Sequence, residues 1–138
     1  MEKRQIQGLI ERALNCNRNS YAPYSHFNVS AAALMSSGRV FDGVNVENAS
    51  YPCGICAERN AIGQAVSAGE TKLVAIAIVG GKDHEISDYC PPCGMCRQVM
   101  REFGNPKEIT VIVAKSVADF KTYSLAELLP DSFGPEAL

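Results

Sequence analysis

The chain has 138 residues, of which 46% are hydrophobic and 20% are charged, and its formal net charge is −2. No run of Lys or Arg and no apolar run of membrane-span length is present, so we expect neither nucleic-acid binding nor membrane insertion. Six cysteines without a signal-peptide core indicate reduced thiols or metal ligands in a cytoplasmic protein.

The first part of the chain predicts a helix followed by a β-hairpin. Apolar residues recur at helical spacing over residues 3–17. Two strand-like runs follow at 28–35 and 40–46, and the Ser-Ser-Gly-Arg sequence at 36–39 is typical of the turn between them. No linker, repeat or low-complexity stretch follows, so we expect residues 1–138 to form a single domain.

The remainder of the chain alternates helices with buried strands. Residues 57–68 and 94–103 are predicted helices, and 125–129 is a short third one. The runs 73–79 and 109–114 are too apolar for half-exposed strands and indicate central strands buried on both faces. Together these elements predict an α/β fold of three layers, α/β/α, with a mixed β-sheet of about five strands.

Two cysteine motifs carry the chemistry. Cys56 opens one predicted helix, and Cys93 and Cys96 lie at the start of another. A catalytic zinc ion usually keeps three protein ligands and leaves the fourth position to water, which the ion activates. Glu58, two residues after the first thiol, is suited to move the protons of that water. This combination is that of the zinc-dependent deaminases acting on cytosine.

Two arginines follow the predicted ligands closely. Helix N-termini at Cys56 and Cys93 favour thiolates, and three thiolates give the zinc centre a net negative charge. Arg59 and Arg97 are therefore candidates to donate hydrogen bonds to the sulfur ligands without binding the metal themselves.

Other interpretations of the cysteines remain open. Cys53-x-x-Cys56 together with Cys93-x-x-Cys96 also fits a structural four-cysteine zinc site, which would leave the role of Glu58 unexplained. A redox role is a weaker interpretation, because a redox site needs only one Cys-x-x-Cys pair and this chain has two.

Several segments in order resemble the small homotetrameric cytidine deaminases. The matching segments are Ala-Pro-Tyr-Ser-His-Phe at 22–27, Val-Asn-Val-Glu-Asn-Ala at 44–49, Ile-Cys-Ala-Glu-Arg at 55–59, Pro-Cys-Gly-Met-Cys-Arg-Gln-Val at 92–99 and Glu-Leu-Leu-Pro-Asp-Ser-Phe-Gly-Pro at 127–135. The resemblance implies one Zn²⁺ per subunit on Cys56, Cys93 and Cys96, with Glu58 as the proton shuttle.

The same resemblance implies a set of substrate-binding residues. Asn45 and Glu47 would hold the 3′-hydroxyl of a sugar, in a segment that also contains Ala49. The alternative for this pair is two polar residues on an exposed strand edge. Phe27 would pack on the pyrimidine ring, and the alternative is a core phenylalanine at the start of a strand.

The resemblance also extends to the oligomer. Tyr51 and Phe133 match positions near the pocket, and Phe133 would reach the site of a neighbouring subunit in a homotetramer. Its alternative is a tail residue that contacts its own subunit.

These observations predict hydrolytic deamination of cytidine and 2′-deoxycytidine in pyrimidine salvage. A deaminase of a cytosine-containing antibiotic such as blasticidin S is an alternative, although Asn45-Val46-Glu47-Asn48 argues against it. The alternative from a different class is a non-catalytic four-cysteine zinc module, which would use Cys53.

Overall fold

The structure is a computed structural model and describes residues 1–138. One five-stranded sheet and four α-helices make up its regular elements. The strands are β1 (Phe27–Met35), β2 (Val40–Val44), β3 (Leu73–Lys82), β4 (Thr110–Ser116) and β5 (Asp119–Ser124). The helices are α1 (Lys3–Cys16), α2 (Ala57–Ser67), α3 (Gly94–Glu102) and α4 (Leu125–Leu128).

The sheet is mixed and has the strand order β2-β1-β3-β4-β5. The predicted hairpin pairs β1 with β2, with Leu34 opposite Val40, and β1 is also antiparallel to β3. β3 and β4 are parallel. A parallel pair needs a long crossover connection, and the segment that carries α3 supplies it.

Apolar residues on the two faces of the sheet contact different helices. On one face Ala32, Ala77 and Ile112 lie against α1, whose residues Leu9 and Ile10 are buried. On the other face the sheet lies against α2 and α3. The three-layer α/β/α prediction is therefore confirmed, and α2 and α3 share the layer on which the cysteines lie.

The close approach of α2 to β2 depends on a glycine. A Cβ atom on Gly43 would lie 2.8 Å from the Cα of Ala61, closer than real contacts of this kind. Only glycine leaves the backbone of α2 this close to the sheet. This contact holds the helix that carries Cys56 and Glu58 at its N-terminal end.

The strand β5 is the element that the sequence analysis missed. It is an edge strand that pairs only with β4, antiparallel, and much of it is exposed. Its hydrophobic pattern is weak because neither face is fully covered. The turn before it is stabilised by Ser116 Oγ, which accepts hydrogen bonds from the N–H groups of Ala118 (3.2 Å) and Asp119 (3.1 Å).

None of the helices combines the length and the hydropathy needed to cross a membrane.

Candidate active site

Three cysteine sulfurs converge where α2 and α3 begin. Cys56 is the N-cap of α2, Cys93 is the N-cap of α3, and Cys96 lies in the first turn of α3. The Sγ atoms of Cys56 and Cys93 are 3.9 Å apart, and all three sulfurs lie within 4.8 Å of one another. Two sulfurs bound tetrahedrally to zinc at about 2.3 Å would be about 3.8 Å apart, so the cluster has the dimensions of a zinc site.

The thiols of this cluster differ in their pKa values. Hydrogen bonds from Cys96, and then from Arg59 and Cys93, lower the pKa of Cys56 to about 5 despite its partial burial. Hydrogen bonding to the Cys56 sulfur and burial raise the pKa of Cys96. A divalent ion would overcome the raised pKa of Cys96, because a thiol that coordinates a metal is deprotonated. The donor set therefore fits a thiolate-binding ion such as zinc.

Cys53 does not belong to the cluster. It is exposed at the end of a 3-10 helix, Tyr51–Cys53, and the group of possible ligands contains only Cys56, Cys93 and Cys96. The structure therefore presents a site with three protein ligands, not the closed four-cysteine site considered as an alternative.

Glu58 lies in the first turn of α2 and is only 4% exposed. Burial, followed by the nearby Cys56 thiolate, raises the pKa of its carboxyl group. An elevated pKa brings a carboxylic acid closer to neutral pH, where it can both accept and donate protons. Its neighbour Cys90 also lines the cavity, and burial raises the pKa of that thiol to about 11, so it remains protonated.

The two arginines predicted to contact the sulfurs behave differently. Arg59 donates from Nη2 to the Sγ of Cys56 at 3.7 Å, as expected from the sequence, and its buried Nε has no hydrogen-bond partner. Arg97 instead donates from Nε to the carbonyl oxygen of Pro92 (2.8 Å) and from Nη1 to that of Leu128 (2.7 Å). Arg97 therefore fixes the loop before Cys93 to α4, a role that sequence spacing could not distinguish from sulfur contact.

A cavity of about 650 Å³ opens beside the cluster. Cys56, Cys93 and Glu58 line it together with Asn45 and Glu47. Such a volume is ordinary for a small-molecule site. The cavity thus joins the metal-binding group, the buried carboxyl group and the two polar residues predicted to bind a sugar.

The side chain of Asn45 is largely engaged within the protein. Its Oδ1 accepts from the N–H of Val29 (3.0 Å) and from Ser20 Oγ, and its Nδ2 donates to the carbonyl oxygen of Phe27 (2.9 Å). A carboxamide has two N–H donors, and its oxygen has two lone pairs. These contacts fix the orientation of the amide and leave one N–H for a ligand.

Glu47 is held in a comparable way. Its Oε1 accepts from the N–H groups of Tyr24 (3.0 Å) and Ser25 (3.1 Å), and its Oε2 accepts from Ser25 Oγ. These hydrogen bonds, those of Ser25 first, lower the pKa of Glu47 and keep it ionised. Oε2 retains a free lone pair, so Asn45 and Glu47 together offer one donor and one acceptor, the complement of a hydroxyl group.

Of the remaining predicted residues, one lines the cavity and three do not. Tyr51 lines the cavity. Phe27 is 41% exposed and Phe133 66% exposed, and neither they nor the exposed Ala49 line the cavity of the single chain. Tyr24, which the sequence analysis did not single out, lines the cavity and sets its ring edge-on to Tyr51, 6.3 Å between centroids.

The missed residue Tyr24 had one sequence signal. It lies in the matched segment at 22–27, directly before Ser25, whose N–H and hydroxyl groups bind Glu47. A contact between the segments at 22–27 and 44–49, had it been considered, would have placed Tyr24 next to Glu47 and therefore at the site.

Comparison with known proteins agrees with this geometry. The family model described as the cytidine and deoxycytidylate deaminase zinc-binding region matches residues 3–113, which include the three cysteines of the cluster. The cytidine deaminase of Halalkalibacterium halodurans is 42% identical over 94% of this chain and 95% of its own length. The probable cytidine deaminase of Dictyostelium discoideum is 40% identical over 100% of this chain and 90% of its own.

A solved structure gives the same result for the fold. The crystal structure of cytidine deaminase from Burkholderia pseudomallei superimposes with a TM-score of 0.81 at 44% identity, covering 91% of this chain and 97% of that one. The family model and the three-sulfur group together confirm the zinc prediction, one ion per chain. The chain belongs to the cytidine and deoxycytidylate deaminase family.

Proposed function

We propose that this protein catalyses the hydrolytic deamination of cytidine and 2′-deoxycytidine to uridine and 2′-deoxyuridine, with release of ammonia. The observation that carries the proposal is the buried carboxyl group of Glu58 beside three converging thiols on one wall of a cavity of nucleoside size. The cytidine deaminases that match nearly the whole chain support the same reaction.

Zinc supplies a Lewis acid that lowers the pKa of water towards about 7. Glu58 takes a proton from the attacking water and gives it to N3 of the cytosine ring while the water oxygen adds to C4. Glu58 then passes the second proton of that oxygen to the amine, the C4–N bond breaks, and ammonia leaves as the C4 carbonyl forms. The raised pKa of Glu58 suits both transfers.

Asn45 and Glu47 recognise the 3′-hydroxyl of the sugar. The free N–H of Asn45 donates to the hydroxyl oxygen, and the free lone pair of Glu47 accepts the hydroxyl proton. Their remaining bonding capacity supports this assignment, because it is one donor and one acceptor. This pair addresses a single hydroxyl, so we expect both ribose and 2′-deoxyribose to be accepted.

Aromatic side chains close the pocket around the base. Phe27 stacks on the pyrimidine; its backbone carbonyl, which accepts from Asn45, places the residue next to the sugar-binding pair, and its side chain is free to turn because the residue is 41% exposed. Tyr51 and the segment containing Ala49 flank the nucleoside. Phe133 comes from a neighbouring subunit of a homotetramer, which is supported by its exposed ring. The protein acts as a single-domain subunit in the cytoplasm, in pyrimidine salvage.

The test of the proposed function is turnover of cytidine and of 2′-deoxycytidine by purified protein, followed as ammonia release, beside zinc content per chain. We expect both nucleosides to be converted with about one zinc per chain. Turnover of one nucleoside only would refute the two-sugar prediction. Zinc without turnover of either would refute the proposed reaction, and turnover of blasticidin S alone would favour the antibiotic deaminase.

A further inference from the structure

Arg101 is a buried cation that the proposed chemistry does not use. It lies in the last turn of α3, and its side chain is 9% exposed. Burying a guanidinium group is costly unless its donors are paired. Arg101 Nε donates to Ser132 Oγ at 2.9 Å, Nη1 donates to Glu136 Oε2 at 3.3 Å, and Nη2 pairs with Glu136 Oε1. Every one of these partners belongs to the C-terminal tail.

The tail backbone passes directly over this guanidinium group. A Cβ atom on Gly134 would lie 2.7 Å from Cζ of Arg101. A side chain at this position would displace the guanidinium group or the tail, so the close approach favours glycine. Arg101 thus holds the tail at Ser132, Gly134 and Glu136, on both sides of Phe133.

A second α3 residue holds Phe133 itself. Gln98, three residues before Arg101 and therefore on the same helix face, donates from Nε2 to the carbonyl oxygen of Phe133 at 3.1 Å. The carbonyl group of Phe133 is thereby bound to α3, whereas the residue remains 66% exposed. An exposed aromatic residue in a tail held on both sides is available for contact with another surface.

We propose that Arg101 is a positioning residue for catalysis: it clamps the C-terminal tail to α3 so that the ring of Phe133 is held ready to close the cavity of a second copy of this chain. This inference rests on the proposed role of Phe133 in a neighbouring site. Its physical basis is preorganisation, because a tail already ordered loses little conformational entropy when the second copy binds. The clamp also lies on the helix that carries Cys93 and Cys96, which ties the tail to the metal-binding end of the fold.

The test compares Arg101→Ala, Phe133→Ala and the double variant in steady-state kinetics with cytidine. We expect Arg101→Ala to raise KM by about 5- to 150-fold, the range that corresponds to a lost base–aromatic contact, with kcat changed much less. The double variant should have the KM of Phe133→Ala alone, because Arg101 acts through that ring. Additive effects of the two substitutions, or an unchanged KM in either single variant, would overturn the proposal.

A second measurement keeps the clamp testable without activity. Limited proteolysis should cleave the tail of Arg101→Ala and of Gly134→Ala faster than that of the wild type, while zinc content stays at the wild-type level. Arg4→Ala, an exposed arginine on α1, is the control and should match the wild type in both assays. Equal cleavage rates would refute the clamp even if cytidine proved not to be the substrate, whereas absence of wild-type turnover refutes only the proposed function.

Discussion

Glu58 owes its chemical character to its surroundings. The same carboxyl group on an exposed helix would ionise well below neutral pH, but here burial and the neighbouring Cys56 thiolate raise its pKa. The raised pKa also makes the stability of the fold depend on pH. The carboxyl contributes most stability below its unfolded pKa of about 4.3, and that contribution is lost as pH rises through the higher folded pKa.

Glu58→Gln should therefore separate catalysis from stability. We expect the kcat of the variant with cytidine to fall by about 10²–10⁴-fold or more, because the amide cannot shuttle protons. It should keep its zinc, and its free energy of unfolding relative to the wild type should rise as pH increases through the folded pKa. Turnover, zinc analysis and urea unfolding across pH measure these effects. Glu11→Gln, on the exposed side of α1, is the control; wild-type turnover in Glu58→Gln would contradict the mechanism.

At the scale of elements, the site is assembled from the N-terminal ends of α2 and α3, and β2 sets the position of α2. α2 brings Cys56 and Glu58, and α3 brings Cys93 and Cys96. Both helices pack on the same face of the sheet, and α2 approaches β2 closely at Gly43. The position of the α2 N-terminus therefore depends on a contact in the middle of the helix.

Two glycines in this region should respond oppositely to the same substitution. Gly43→Ala should lower the free energy of unfolding by about 1–3 kcal/mol, because the new methyl group meets the α2 backbone. Gly63→Ala, in the exposed interior of α2 with open space around it, should raise it by about 0.4–1 kcal/mol. Urea unfolding of the zinc-loaded variants measures both. Equal stability of Gly43→Ala and the wild type would show that α2 can shift without cost.

At the scale of the whole molecule, the zinc site connects distant parts of the chain. Cys56 and Cys93 are 37 residues apart in sequence and belong to different helices of one layer. A metal that binds only the folded arrangement stabilises it by mass action. The ion is therefore expected to be a structural link as well as a reagent.

Removal of zinc by a chelator should lower the Tm by at least about 5 °C and abolish turnover, with recovery of both on adding zinc back. Cys93→Ala should show the same low Tm permanently. Cys53→Ser should match the wild type in zinc content and Tm, because its side chain lies outside the cluster. Loss of zinc in Cys53→Ser would restore the four-cysteine alternative.

The predictable part of the fold consists of elements with strong local signals. α1, α2 and α3 were predicted to within about two residues from helical spacing and from proline and glycine positions, and β1 to within one. β5 was missed because an edge strand lacks a covered face and so carries no clear hydrophobic pattern. Its existence depends on the edge of β4 being available for pairing.

Residue type and short-range spacing were enough to identify the three-layer fold class, the two cysteine motifs and the carboxyl group of Glu58 beside the first of them, whereas the exclusion of Cys53 from the ligand set required the folded structure. Folding set the directions of the long polar side chains: Arg97 donates to the backbone carbonyls of Pro92 and Leu128, Arg101 to the tail, and Asn45 and Glu47 bond mostly to neighbouring protein groups. The physical reason is that a flexible polar side chain bonds to whichever donors and acceptors the folded chain places within about 3 Å, and those partners are distant in sequence.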